Sequence, residues 1–95
     1  MPVNVRIPAP LRALTEDQKI LAIEGVDTVA ALLSKIGDEY PELGERLHDA
    51  DGSLRRFVNI FVNGRDIRSS EGPSTPIRDG DEVSIISAIA GGSEP

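Results

Sequence analysis

The sequence predicts an α+β domain of two layers, a mixed sheet of four to five strands packed on one main helix and a short helical turn. Three observations carry that expectation. Apolar and polar residues alternate in Val3-Asn4-Val5-Arg6-Ile7 and again along residues 56–62, the period of a strand with one buried face. Val29, Leu32, Leu33, Ile36 and Tyr40 recur at helical spacing and form one apolar stripe. The dipeptides Asn63-Gly64 and Asp79-Gly80 mark tight turns in the second half. At 95 residues, the chain has material for one core and not for two.

Taken in order, the first strand is stopped by Pro8 and Pro10. Residues 11–17 read as a loop. Lys19-Ile20-Leu21-Ala22-Ile23-Glu24 reads as a second strand ended by Gly25, with Leu21 and Ile23 as its inward pair. Thr28 suits a helix N-cap, because its hydroxyl can accept from a free N–H of the first turn. Asp38, Glu39 and Pro41 mark the far end of that helix, with Gly37 as an earlier possible terminator; Leu43 and Leu47 continue the cover. Residues 56–62 form the clearest strand: Val58, Ile60 and Val62 point one way, Phe57, Asn59 and Phe61 the other. Arg65-Asp66-Ile67 is a short return strand, and residues 69–75 are irregular loop. In the last strand Val83 and Ile85 share one face, and Ser84, Ile86 and Ala88 share the other. The first and last strands are expected side by side in the middle of the sheet, a parallel pair joined by the long crossover.

Composition narrows the function. There is no cysteine, which excludes a disulfide framework and a thiol nucleophile. No stretch approaches the roughly 20 apolar residues of a membrane helix, and the first ten residues lack the layout of a signal peptide. A soluble, cytoplasmic protein is expected, with no membrane partner. The formal charge of −6 argues against nucleic acid, whose binding rests on Lys and Arg neutralising phosphates. His48, beside Asp49 and Asp51, has too few neighbours of ligand type for a metal site and reads as a surface histidine. No phosphate-binding glycine loop and no nucleophile–His–acid triad is present. Arg55-Arg56 reads as a solvated pair.

The end of the chain stands apart. Asp79-Gly80-Asp81-Glu82-Val83 turns into an apolar strand that runs into Gly91-Gly92, followed by Ser93-Glu94-Pro95. With this element order, the chain resembles the β-grasp, ubiquitin-like sulfur carriers of the MoaD/ThiS family. Residues 56–63 and the opening Val3-Asn4-Val5-Arg6-Ile7-Pro8 are most similar to the CysO type, which serves cysteine biosynthesis. The expected division is a β-grasp body over residues 1–90 and a Gly-Gly tail with a removable extension over residues 91–95.

The resemblance implies a substrate and donor, not an enzyme. An E1-like adenylyltransferase and sulfurtransferase uses ATP and magnesium to turn the Gly92 carboxylate into an acyl-adenylate. Sulfur then displaces AMP and leaves a thiocarboxylate, which passes its sulfur to an accepting biosynthetic enzyme. The carrier binds no cofactor or metal of its own. Residues 93–95 depart from carriers that end at the second glycine, and the resemblance implies their removal by a JAMM-type zinc protease. Gly91 and Gly92 suit the task sterically, since a backbone without Cβ can lie extended in a narrow channel.

A second candidate site is the outward sheet face, with Phe57, Phe61, Ile86 and Ala88, where an exposed apolar cluster would dock partners. Against it stands cover of Phe57 or Phe61 by the loop at residues 69–75. Two other functions share the fold: a ubiquitin-like modifier joined through Gly92 to lysine, and a plain β-grasp binding module for which the tail is incidental.

Overall fold

The computed structural model describes residues 2–87. Five strands, β1 (Val3–Arg6), β2 (Ile20–Ile23), β3 (Val58–Val62), β4 (Arg65–Asp66) and β5 (Glu82–Ser87), form one mixed sheet in the order β2-β1-β5-β3-β4. The first and last strands are the parallel pair at its centre, with Val5 opposite Val83 and Arg6 opposite Ser84. The remaining pairs are antiparallel.

Alternation in the sequence becomes alternation in burial. Val3, Val5, Leu21, Ile23, Val58, Ile60, Val83 and Ile85 are all buried on one face of the sheet. Helix α1 (Val29–Glu39) lays Val29, Leu32, Leu33 and Ile36 against them, and α2 (Pro41–Leu47) adds Leu43 and Leu47. Each such burial stabilises the fold by roughly 1.5–3 kcal/mol before the entropy of ordering is subtracted. Thr28 caps α1 as expected, its Oγ1 accepting from the Ala31 N–H at 3.1 Å.

Asn63 and Gly64 both adopt positive φ, 51° and 86°, as the two-residue turn between β3 and β4 requires. Asn63 does more than turn the chain. Its side chain accepts from Glu82 N–H at 2.9 Å and donates to Asp81 at 3.1 Å, which fixes the start of β5 against the hairpin.

Several expectations are corrected. Residues 11–17 are not plain loop, because Ala9–Thr15 forms a 3₁₀ turn with Pro10 near its start and Leu11 and Thr15 buried. Residues 69–75 contain a further turn, Gly72–Ser74, after one at Ile67–Ser69. Gly37 does not end α1, which continues to Glu39. It lies instead where the two helices touch: a Cβ on Gly44 would stand 3.1 Å from the Gly37 Cα. Strand β3 begins at Val58 rather than at Arg56, because Val58 N–H donates to the Arg55 carbonyl at 3.0 Å and turns the chain just before it.

Candidate functional site

The strand that leads to the diglycine is held on both edges. β5 pairs with β1 on one side and, from Val83 to Ser87, with β3 on the other. Its last residue, Ser87, lies opposite Val58. The body therefore fixes the root of the tail in position and direction. Ala88, Gly91 and Gly92, which the sequence singled out, lie outside the described residues.

The face of the sheet away from the helices is open. Register places Ile20, Arg6, Ser84, Phe61 and Asp66 in one row across all five strands. Ile86 lies opposite Asn59 and so diagonal to Phe61, about 7–8 Å away for such neighbours. Ile86 is 45% exposed and Phe61 half-buried, and neither belongs to the core cluster. Ile20, 47% exposed, joins the same face, although sequence reasoning passed over it. Its signal was present: with Leu21 and Ile23 inward, Ile20 had to point out. Around these apolar residues the face is polar. Arg6 Nε pairs with the Glu82 carboxylate at 2.5 Å. Arg68 reaches over the β3 edge left free beyond the short β4, donating to the Val58 carbonyl at 3.1 Å and to the Asn59 side chain.

Phe57 does not belong to this patch. It precedes the strand and escapes the alternation of β3, and it packs half-buried against the core. It borders a groove with Pro10, Leu11, Arg46, Arg55 and Ser87.

His48 is half-buried rather than a free surface residue. Its Nδ1 lies 3.0 Å from the Gly44 carbonyl, which also accepts the His48 N–H, so the residue closes the end of α2. Among the described residues no group of three or more His, Cys, Asp or Glu side chains could hold a metal ion. Asp51 accepts the Ser53 N–H, and that backbone hydrogen bond holds its carboxyl below the usual range. No helix among the described residues is long and apolar enough to cross a membrane.

A tail root paired to β1 as far as Ser84 and to β3 as far as Ser87, beside an open face, can present a chain end. The model of the ThiS family matches residues 5–92. The chain belongs to the ThiS family. Among ThiS-like relatives, the sulfur carrier protein CysO of Mycobacterium tuberculosis (strain ATCC 25618 / H37Rv) is 47% identical over 94 residues, with 97% of this chain and all of that protein covered. The crystal structure of M. tuberculosis CysO superposes with a TM-score of 0.82, covering 90% of this chain and 98% of the other at 45% identity. A chain in the BexX/CysO complex of Amycolatopsis orientalis reaches 0.83 at 32% identity, with coverage of 90% and 94%. The small archaeal modifier protein 3 of Haloferax volcanii is 32% identical over 93 residues, covering 97% of this chain and all of that protein. The β-grasp fold and the resemblance to CysO are thereby both found. ThiS- and CysO-type proteins are small carriers rather than catalysts.

Proposed function

We propose that this chain is a sulfur carrier loaded at Gly92. Removal of residues 93–95, by a JAMM-type zinc protease, frees the Gly92 carboxylate. An E1-like enzyme, with ATP and magnesium, joins that carboxylate to AMP and releases pyrophosphate. Sulfide attacks the acyl carbon, AMP leaves, and the thiocarboxylate remains. Where a persulfide attacks instead, the acyl disulfide it forms is cleaved by a second thiol, which keeps the outer sulfur as a disulfide and releases the thiocarboxylate. Its sulfur goes to a biosynthetic acceptor, cysteine being the product that CysO similarity favours. In this scheme Gly91 and Gly92 enter the activating enzyme, Phe61 and Ile86 dock the body, and Ala88 adds a partner contact.

The observation that carries the reading is the family match, which extends through β5 to residue 92, together with 47% identity to a sulfur carrier over nearly the whole chain. A test is intact-mass spectrometry of the chain ending at Gly92, incubated with the E1-like enzyme, ATP, magnesium and sulfide. One oxygen-for-sulfur exchange at the C-terminus is expected; an unchanged mass would refute the proposal.

A second reading has one specific support, the similarity to a small archaeal modifier protein. There the same acyl-adenylate chemistry ends in an isopeptide bond between Gly92 and a lysine. High-mass species on a denaturing gel, lost when Gly92 is deleted, distinguish it.

A further inference from the structure

The groove at the foot of β5, about 310 Å³, combines two chemistries. Its floor is apolar, from buried Leu11 and from Phe57 packed on the core. Its rim is cationic. Arg46 is exposed, and its side chain forms no hydrogen bond or ion pair among the described residues. Arg55 donates to the Glu45 carbonyl at 3.1 Å and lies 3.5 Å from the Asp49 carboxylate, yet its Nε is buried without an acceptor. A buried N–H without a partner is uncommon in a folded protein. Arg56, also exposed, follows directly, so three of the eight arginines gather where the chain leaves the sheet.

We infer that this groove, with Arg46 and Arg55 set over Phe57 beside Ser87, receives an acidic segment of the partner protein, a carboxylate side chain next to an apolar one. A chain of net charge −6 repels an acidic surface over most orientations. A basic notch at the tail root then favours the approach that brings the tail to the partner, which is how complementary charge selects orientation and raises the encounter rate. The apolar floor separates this occupant from a small inorganic anion, which would leave Phe57 and Leu11 unused. The role in tail entry rests on the proposed function; the binding itself does not.

The test uses a peptide carrying fluorescein on its N-terminal amine, fluorescein-Glu-Asp-Phe-Glu-Glu-NH2, titrated with the full chain and followed by anisotropy. Saturable binding that weakens with salt is expected, together with a loss of about tenfold or more in Arg46→Glu. Arg46 is exposed, and an unchanged Tm shows that this variant folds. The chain ending at Gly92 should bind as the full chain does. Equal binding by Arg46→Glu, equal binding of a peptide with lysine in place of each acidic residue, or no binding at millimolar chain would each overturn the inference. Binding that appears only after residues 93–95 are removed would assign the groove to the chain's own Glu94 and overturn it too. Sulfur loading of Gly92 is read separately by mass, so failure at the groove leaves that proposal standing and the reverse holds as well.

Discussion

Gly37 and Gly44 make a paired prediction with opposite signs. Both are helical glycines, so alanine gains about 1 kcal/mol of helix propensity at either position. Their surroundings differ. A Cβ at Gly37 meets the Gly44 Cα at 3.9 Å, an ordinary contact, whereas a Cβ at Gly44 stands 3.1 Å from the Gly37 Cα. The obstacle in the second case is backbone, not the end of a flexible side chain. Neither helix can retreat cheaply, since Leu33 and Ile36 pin α1 to the sheet and Leu43 and Leu47 pin α2. Overpacking of this kind costs about 1–3 kcal/mol. Gly44→Ala should therefore lose about 1 kcal/mol net, lowering Tm by about 4–8 °C in a domain of this size, while Gly37→Ala should raise Tm by a few degrees. Thermal unfolding followed by circular dichroism measures both. A Gly44→Ala protein as stable as the parent, or shifts of the same sign in both variants, would refute the assignment of this contact as the close approach of α1 to α2.

Three further predictions concern the cap and the candidate site. Thr28→Ala removes the acceptor for the Ala31 N–H and should cost about 1 kcal/mol, seen as a lower urea midpoint with unchanged slope. Ile86→Asp places a charge on the open sheet face; with Ile86 45% exposed, stability should move by no more than about 0.5 kcal/mol, while affinity for the activating enzyme falls in a calorimetric titration. Gly92→Ala should slow AMP formation sharply, because the added methyl must pass where only backbone fits, and should leave Tm unchanged. A full rate for that variant argues against a narrow channel.

Much of the fold could be read from residue spacing. Val3 and Val5 are buried and Asn4 and Arg6 exposed, as strict alternation requires. The helix stripe, the Thr28 cap and the Asn63-Gly64 turn follow from local chemistry that tertiary contacts do not override. What escaped depends on contacts between segments distant in sequence. Gly37 looks like a terminator until Gly44 is brought against it. Phe57 looks like the next step of the β3 alternation until the turn at Arg55 breaks the period. The Ala9–Thr15 turn lacks the length for a helical pattern and is recognised only by the burial of Leu11 and Thr15. At the site, Phe61 and Ile86 were legible because both sit on regular strands. Arg68 was not, because it acts through carbonyls at the start of β3, and the outward turn of Ile20 was legible but not its place in a row with Phe61, which two intervening strands set.

The central place of β5 has a further consequence. Its partner β1 comes from the opposite end of the chain, so the middle of the sheet closes only when the whole polypeptide is available. Pairings so remote in sequence slow folding, because loop-closure entropy is lost before the contacts repay it. The same residues that complete the fold are the ones from which the C-terminus departs. A nascent, truncated or unravelled molecule thus lacks the firm base that orients its end, so folding comes before any use of the tail.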